Sequence, residues 1–424
     1  MLEYLGRNHR GSRSIFSRAK PIAFGALFVS SIPFTFIHCG GDNPHAGIKP
    51  VAVPKKLPQS WPENRTVPAR AYWPTANWKT RSPAQADLKA DALKKLTEYA
   101  FTRTGDDTDR KGIRTDGVVV VHRGYIVYEK YARGFKADTR HLIWSDTKSF
   151  TNALFGIAVK DGLFKTEEPA HKYFPALNQG DKAKITINHL LRMSSGLHWA
   201  EGYEASPLKS TVVKMLYTSG RGDMAGFAAA QPLVHKPNTF WYYSSGTSNL
   251  LQGILKNRLG AEYGDYPWKK LFNPIGIKSA VWEKDAKGTY VGSSYLYMTP
   301  RDMARFGFLF LNDGVWSGKR ILAEGWVAYS TTLAPGFYQQ PVNEDFLDGR
   351  QGAQWWLNLP VRERGTKRPH PDAPADTFMA RGHEGQYIFV IPSLDIVAVR
   401  VGDDKDGSFS INEFLKYVVR AAAK

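Results

Sequence analysis

Cysteine is nearly absent from this chain of 424 residues, and Cys39 is the only one. A single cysteine excludes any intrachain disulfide. Internal repeats and low-complexity tracts are also missing, which argues against fibrous, repetitive and disordered architectures. Hydrophobic residues make up 42% of the chain and aromatic residues 13%, which is enough for a large core. The sequence therefore predicts an ordinary globular protein that does not depend on cross-links.

Acidic residues are scarce relative to basic ones, with 39 Asp and Glu against 57 Lys and Arg. The resulting net charge of +18 favours contact with anionic surfaces. The basic residues are dispersed, however, and no nucleic-acid recognition motif accompanies them. We therefore predict no nucleic-acid partner.

Several common catalytic and metal-binding motifs are missing as well. No Gly-x-Ser-x-Gly elbow is present, which removes the main α/β-hydrolase alternative. His383 and Glu384 do not belong to a His-Glu-x-x-His zinc helix. The acidic segment around Asp404 has Gly402 in place of the first EF-hand ligand. We expect neither a metal nor a cofactor.

The one long apolar run lies near the N-terminus. Five basic residues precede the 17-residue apolar run at 21–37, a pattern that predicts an export signal over residues 1–38. The run contains two prolines and is too short for a typical spanning helix. Cys39 follows directly and resembles the lipid-accepting residue of bacterial lipoproteins; the alternative is an incidental cysteine beside an ordinary cleavage site. We expect a periplasmic protein or a lipoprotein of a bacterial envelope, with possible membrane attachment through Cys39.

The remaining chain predicts an α+β fold. Residues 39–80 are rich in proline and basic residues and are interpreted as a linker and an extended N-terminal strap. Helix signals begin at Ser82-Pro83 and at Thr299-Pro300, where a cap-type threonine and a first-turn proline open a helix through Phe310. Hairpin signals surround Arg123-Gly124 and Pro392-Ser393, and the chain ends in a helix at 411–423. The domain at 81–424 should contain one antiparallel sheet from its N- and C-terminal segments, about 81–144 and 315–424, flanked by helices. A mainly helical insertion, in which strands are hard to find, should occupy about 145–314.

Ser145 is the first candidate catalytic residue, because it begins an apolar-faced helical pattern that ends near Gly162. Lys148 stands three residues later and would share a helix face with it. A helix N-terminus favours developing negative charge, so the pair suits a serine hydrolase in which lysine replaces histidine. The Ser-x-x-Lys pattern also occurs at Ser17 and Ser206. The pattern alone therefore leaves a structural interpretation of Ser145 open.

Two further motifs lie downstream. Tyr243 is flanked by small hydroxyl residues and could pass a proton if neighbouring cations lower its pKa from about 10; the alternative is an aromatic residue packed in a loop. The segment 383–386, His-Glu-Gly-Gln, precedes a strand, and its glycine would let the backbone approach a ligand. The backbone N–H of Gln386 could donate to an oxyanion, although a structural loop is the simpler interpretation.

The order and context of these motifs resemble those of the penicillin-binding-protein and class C β-lactamase-like serine hydrolases. The resemblance spans about 116–401 and includes the segments 187–197 and 297–314. It implies that Ser145 is the nucleophile, Lys148 its base partner and Tyr243 a proton carrier in an acyl-enzyme mechanism. It also implies an oxyanion hole formed by the backbone N–H groups of Ser145 and Gln386.

Two departures from the family pattern bear on the substrate. Tyr243-Ser-Ser245 stands where the family often has Tyr-x-Asn, and His383-Glu-Gly385 stands where β-lactamases have Lys-Thr-Gly. A histidine is a poorer partner for a substrate carboxylate than a permanent lysine charge. The chain therefore looks more like the esterase and 6-aminohexanoate-dimer hydrolase branch, and we expect a small amide or ester substrate.

Two alternatives to that function stay open. One is a D,D-peptidase or β-lactamase that acts on peptidoglycan-like or β-lactam substrates. The other is a non-catalytic envelope protein that binds a ligand in the same pocket. The candidate substrate-binding residues are Ser245, His383, Gly385, Tyr203 and Trp241. Tyr203 and Trp241 are included for their proximity in sequence to the motif loops, and the alternative for them is core packing.

Overall fold

The structure is a computed structural model that describes residues 49–102, 108–203, 209–339 and 350–422. The predicted export signal and Cys39 lie outside these ranges. The strands are β1 (Thr115–His122), β2 (Tyr125–Tyr131), β3 (His141–Leu142), β4 (Val281–Trp282), β5 (Leu296–Met298), β6 (Val315–Trp316), β7 (Lys319–Arg320), β8 (Trp356–Leu357), β9 (Phe378–Gly382), β10 (Gln386–Ile391) and β11 (Ile396–Gly402).

The α-helices are α1 (Ala90–Ala100), α2 (Thr147–Lys160), α3 (Ile187–Leu191), α4 (Thr211–Tyr217), α5 (Met224–Ala230), α6 (Ser245–Leu259), α7 (Asn273–Ile275), α8 (Pro300–Leu311), α9 (Trp326–Ser330), α10 (Gly336–Gln339) and α11 (Ile411–Ala422). Short 3₁₀ turns occupy Ala84–Ala86, Trp144–Asp146, Ala170–Lys172, Pro175–Leu177, Gly180–Lys184, Gly260–Gly264, Arg362–Arg364, His383–Gly385 and Pro392–Leu394, and a π-helical turn covers Trp268–Phe272.

The main sheet joins the two ends of the domain. Its six strands are all antiparallel and follow the order β2-β1-β11-β10-β9-β8. Strand β1 is buried on both faces: Val119 and Val121 enter one hydrophobic core, and Val118 and Val120 enter the other. Side chains alternate along a strand, so an unbroken run of valines fits a central strand covered on both sides. The predicted α+β fold is confirmed.

Helices cover both faces of this sheet. The apolar side chains of α1 and α11 form one core with the sheet, and those of α2 and α8 contribute to the other. Helix α8 lies close to the strands because residue 307 is glycine: a Cβ there would come within 2.6 Å of a Val397 methyl carbon. The sequence-based boundary assigned 300–311 to the helical insertion. That helix packs on the sheet instead, since its face of Phe and Leu side chains is buried there.

A second, three-stranded sheet with the order β3-β5-β4 was missed by the sequence analysis. Its strands are only two or three residues long, too short to show an alternating pattern. Strand β3 pairs with β5, and Ile143 N–H donates to the Leu296 carbonyl at 3.0 Å. The small sheet therefore anchors the backbone two residues before Ser145.

The predicted turns and helix ends are confirmed with one shift. Arg123 and Gly124 form the first hairpin turn with φ of 51° and 86°, as a two-residue hairpin connection of type I′ requires. Thr299 caps α8 by accepting from the N–H of Asp302. The first helix, in contrast, begins at Ala90 and not at Ser82, because Asp87 adopts a left-handed φ of 53° and ends the 3₁₀ turn before it.

The N-terminal strap is bound along its described length, residues 49–80. Val51 N–H donates to the Tyr338 carbonyl at 2.8 Å, and Ser60 N–H donates to the Thr331 carbonyl at 2.9 Å. The Arg70 guanidinium makes two hydrogen bonds of 2.6 and 2.7 Å to the Asp395 carboxylate, which sits in the hairpin between β10 and β11. Among the described helices, none is both long and apolar enough to cross a membrane.

Candidate active site

Ser145 sits in the 3₁₀ turn Trp144–Asp146, which leads directly into helix α2. The residues from Thr147 to Ala158 are all buried, so α2 is a central helix rather than an amphipathic surface one. Lys148 lies one turn after Ser145, and its Nζ is 2.9 Å from the Ser145 Oγ. The side-by-side arrangement that the spacing predicts is therefore present.

Lys148 is held in a buried pocket. Only 1% of the residue is exposed, its Nζ also donates to the Ser293 carbonyl at 3.1 Å, and it lies 4.8 Å from the centre of the Tyr243 ring. Burial lowers the pKa of Lys148 to about 8, against the charges of Glu201 and Asp146, which raise it. A useful fraction of this amine is thus neutral near physiological pH and able to accept a proton.

Tyr243 reaches the nucleophile from the helical side of the cleft. Its ring centre lies 4.8 Å from the Lys148 Nζ, and the residue is 8% exposed. Burial and the charge of Glu201 raise the pKa of Tyr243 above its usual value, outweighing the hydrogen bond to Ser145 and the charge of Arg381, which lower it. The condition named from the sequence, a pKa lowered by neighbouring cations, is therefore not met: Arg381 acts in that direction but burial outweighs it. The phenol remains protonated, and it can donate but not act as a base.

Glu201 connects the site to the N-terminus of α6. Its carboxylate accepts from the backbone N–H of Ser245 at 2.9 Å and from the indole N–H of Trp199. The Ser245 hydroxyl also donates to Glu201, and Ser245 is fully buried. The prediction that Ser245 binds substrate is thus wrong: its polar group is already used to hold Glu201 at the helix end.

An aromatic wall stands beside the nucleophile. Tyr203 stacks on His383 with ring centres 5.3 Å apart, and His383 contacts the Trp144 ring edge-on at 5.4 Å. All three residues are partly exposed, and Trp144 is the direct neighbour of Ser145. The structure therefore brings together two of the predicted substrate-binding residues, Tyr203 and His383, next to the candidate nucleophile.

The edge of strand β9 borders the same turn. A Cβ on Gly382 would come within 2.3 Å of the Ile143 carbonyl oxygen, so only glycine permits this approach. Ile143 precedes Ser145 by two residues. The strand that ends in the His383–Gly385 turn is therefore packed against the backbone of the nucleophile turn.

This geometry, with a serine, a buried lysine and a tyrosine between a helix and a strand edge, can be compared with known proteins. The family model described as Beta-lactamase matches residues 91–411, well over half of the chain. The chain belongs to the beta-lactamase family. The chain is therefore a serine hydrolase with the beta-lactamase-like fold.

Individual relatives of this beta-lactamase family member agree. The 6-aminohexanoate-dimer hydrolase of Paenarthrobacter ureafaciens is 27% identical over 364 residues, which cover 82% of this chain and 87% of that protein. Among solved structures, one from Bacillus anthracis, provisionally described as a 6-aminohexanoate-dimer hydrolase, superposes with a TM-score of 0.60 at 22% identity and covers 81% of this chain and 85% of its own. EstCE1, a hydrolase with promiscuous acyltransferase activity, gives a TM-score of 0.60 at 14% identity, with 79% and 99% covered. The two structures support the fold.

Trp241 does not line the cleft of this beta-lactamase family member, contrary to prediction. It is fully buried in a small cluster with Met193, Tyr243 and Ala334. The sequence places Trp241 two residues before Tyr243, but this proximity does not tell which way the Trp241 side chain points. Trp241 therefore supports the Tyr243 ring from behind.

Gly385 and the side chain of Gln386 are packed beneath the turn. Gly385 has a φ of 90°, and its carbonyl accepts from the buried Arg400 at 2.9 Å, where a Cβ would collide with that guanidinium. Gly385 is thus required by the packing beneath the turn, which corrects its assignment as a substrate-binding residue. The Gln386 side chain donates to the Gly402 carbonyl at 2.6 Å, so it fixes the turn to β11.

Arg381 is a residue near the site to which the sequence analysis gave no role. It lies on β9 before Gly382, and its guanidinium is 4.7 Å from the centre of the Trp356 ring. Trp356 in turn packs 5.4 Å from the Tyr243 ring. An arginine beside a glycine-rich turn carries no sequence signal for a role, because its neighbours in space lie elsewhere in the chain. In the described part of the chain, no group of three or more His, Cys, Asp or Glu residues is arranged to hold a metal ion.

Proposed function

We propose that this protein hydrolyses amide or ester bonds of small substrates through a covalent acyl-enzyme on Ser145. One observation carries the proposal: the Ser145 hydroxyl is 2.9 Å from the amine of the buried Lys148, and that amine lies 4.8 Å from the centre of the Tyr243 ring. A nucleophile needs an adjacent base, and its leaving group needs an acid. The lysine and the tyrosine supply both groups beside Ser145.

The protonation states assign the roles. Neutral Lys148 takes the proton of Ser145 as the serine oxygen bonds to the carbonyl carbon of the substrate. The tetrahedral intermediate then collapses as the Tyr243 hydroxyl donates its proton to the leaving nitrogen or oxygen, and the lysine returns a proton to the tyrosine. Water then attacks the acyl carbonyl carbon and loses a proton to Lys148, which passes a proton to the Ser145 oxygen as the acyl–oxygen bond breaks, so that the acid product leaves and Ser145 is restored. Tyr243 works here as a donor because its pKa is raised.

The oxyanion of that intermediate needs two backbone donors. The N–H of Ser145 is one, and the N–H of Gln386 remains the predicted second. Strand β9 offers another candidate, Arg381. Asn358 N–H donates to the Thr377 carbonyl at 3.0 Å, so residue 377 directs its backbone groups toward β8. Backbone direction alternates along a strand, so residue 381 faces the same way, beyond the point where β8 ends.

The substrate class follows from relatives and from the motifs. The curated relative with 87% of its length matched is a 6-aminohexanoate-dimer hydrolase, and this supports a small linear amide or an ester as the substrate. The D,D-peptidase, β-lactamase and ligand-binding alternatives are outcomes of the test below. Export to the envelope, with attachment through Cys39, also belongs to this proposal and is supported by the basic and apolar leader.

A panel of substrates tests the proposal. Purified protein would be assayed with p-nitrophenyl esters, aminohexanoate dimer, D-amino acid amides and a chromogenic β-lactam, each beside a Ser145→Ala variant. We expect turnover of the esters or the dimer that disappears in the variant. Turnover of the β-lactam or the D-amino acid amides alone would instead assign a β-lactamase or a peptidase. Saturable binding with no turnover of any compound would contradict an enzymatic role.

A further inference from the structure

Arg381 is an unusual arginine in this molecule. Among the described arginines that are not exposed, it alone has neither a carboxylate partner nor a hydrogen bond to another residue. Others at comparable depth are paired: Arg133 with Asp116 and Asp403, and Arg301 with Glu129. A partly buried cation without a partner costs free energy in the folded state, so its presence calls for an explanation.

The guanidinium is held in a fixed place. It lies over the Trp356 ring at 4.7 Å, and such stacking orients a planar guanidinium while leaving its N–H groups available. The next residue on β9, Gly382, packs so closely on the Ile143 carbonyl that a Cβ would lie 2.3 Å from its oxygen, and this close packing limits movement of the strand at Arg381. Arg381 is therefore a preorganised donor group.

The open N–H groups are near the reacting centre. Trp356 contacts both Arg381 and Tyr243, and the ring centres of Trp356 and Tyr243 are 5.4 Å apart. Tyr243 in turn lies beside Lys148, which is hydrogen-bonded to Ser145. The positive charge is felt there, because Arg381 lowers the pKa of Tyr243 in opposition to burial. Burial and then Arg381 also lower the pKa of His370 to about 3, so this neighbour is neutral and offers no counter-charge.

We propose that Arg381, supported by Trp356, binds a carboxylate carried by the leaving group of the substrate. Arg381 lies on the leaving-group side of the cleft, because it is near Tyr243, and Tyr243 donates its proton to the leaving atom in the proposed mechanism. This inference therefore rests on the proposed function. A guanidinium matches a carboxylate with two parallel hydrogen bonds. The protein would thus prefer amides of amino acids and esters of hydroxy acids over otherwise equal neutral substrates.

A matched pair of esters tests the preference. The substrates are 3-carboxyphenyl acetate and 3-carbamoylphenyl acetate, which differ only in the charge of the leaving group. We expect the wild type to hydrolyse the carboxylate with a kcat/KM about tenfold higher or more, expressed mainly in KM. Arg381→Gln should bring the two substrates within about twofold of each other, and Arg381→Lys should retain part of the preference. Arg362→Gln removes one exposed arginine charge and is the matched control.

Binding provides a second readout that needs no turnover. Titration of Ser145→Ala with benzoate and benzamide should show benzoate bound more tightly, and the double variant with Arg381→Gln should lose that difference. An unchanged carboxylate preference in Arg381→Gln, with normal turnover and a folded protein, would overturn the inference while leaving the proposed function intact. Absence of Ser145-dependent hydrolysis of both esters would instead count against the proposed function, and the benzoate titration would still decide the role of Arg381.

Discussion

At the scale of single residues, the chemistry depends on how burial sets the protonation states of Lys148 and Tyr243. The same low-dielectric pocket lowers the pKa of Lys148 and raises that of Tyr243, because burial disfavours a cation in one case and an anion in the other. The lysine becomes the base and the tyrosine the acid. In this arrangement the phenol acts as an acid with a raised pKa, so the role does not require the lowered pKa that the sequence analysis set as a condition.

The pH dependence of activity follows from this division. Lys148 must be neutral to accept a proton, so kcat/KM should rise about tenfold per pH unit below its pKa of about 8 and level off above it. Glu201 raises that pKa, and Glu201→Gln should therefore shift the acidic limb to lower pH. The profile is measured with a p-nitrophenyl ester against a non-enzymatic blank. A limb near the ordinary lysine value of 10.5 would refute lysine activation.

Asp146, the neighbour of the nucleophile, is a second residue-scale feature. It is fully buried, and neither carboxylate oxygen has a hydrogen-bond partner among the described residues. Burial raises its pKa well above the usual value, with Lys148 acting in the opposite direction. The folded state therefore favours the protonated carboxyl. Below pH 3.8 the carboxyl is protonated in both states, and the free energy of unfolding decreases as the pH rises from 3.8 through the folded-state pKa of Asp146.

Replacing this carboxyl should stabilise the fold. We expect Asp146→Asn to raise the free energy of unfolding by about 1–3 kcal/mol at pH 7. The gain should be smaller at pH 4, because there the Asp146 carboxyl of the unfolded chain is also partly protonated. Urea unfolding followed by circular dichroism at several pH values measures the difference. A gain that shrinks as the pH rises would be incompatible with a raised pKa for Asp146.

At the scale of elements, the site depends on a close approach between β9 and the turn that begins α2. Gly382 makes this contact possible, because a Cβ would lie 2.3 Å from the Ile143 carbonyl. The turn beyond it is held from below by Arg400, which pairs with Asp404 and donates to Gly385. Two glycines and one buried ion pair thus set the distance between strand and nucleophile.

Gly382→Ala tests that dependence. The added methyl group should displace the strand edge and reduce kcat/KM by about tenfold to hundredfold, since small misplacements at a reacting centre are costly. Gly222→Ala is the matched control, because a Cβ there has open space. Esterase kinetics together with melting temperature separate displacement from unfolding. Equal activity of the two folded variants would show that the close approach is not needed.

The elements also show how far sequence alone could go. The Ser145–Lys148 pair, both hairpins and helix α8 were predicted because each depends on local spacing or capping. The directions of Trp241 and Ser245 were not, since proximity along the chain does not tell which side of the backbone faces the cleft. The small sheet of β3, β4 and β5 has strands too short to carry a pattern, and Arg381 acquires meaning only when Trp356 and Tyr243 are placed beside it.

At the scale of the whole molecule, one sheet closes the chain on itself. Strand β1 pairs with β11 over its length, so the N- and C-terminal segments must both be present before the cleft can form. The strap adds to this closure, with Arg70 tied to Asp395 in the C-terminal hairpin. The fold class was predictable from strands at both ends of the sequence, whereas the packing of α8 on the sheet required the three-dimensional contacts.

The leader makes a prediction about the whole chain. If Cys39 accepts lipid, the full-length protein expressed in a bacterial host should be found with membranes and be released only by detergent. Cys39→Ser should then appear in the soluble fraction with unchanged esterase activity. Fractionation with immunodetection measures this. The same distribution for both proteins would exclude lipid attachment through Cys39.

The central claim is that Ser145 is the nucleophile, activated by Lys148. The most direct measurement treats the purified protein with a fluorophosphonate and determines the intact mass and the modified peptide. The account predicts one adduct per chain, located on Ser145, absent from Ser145→Ala and formed much more slowly in Lys148→Ala. An adduct on another residue, or one that persists in Ser145→Ala, would contradict it.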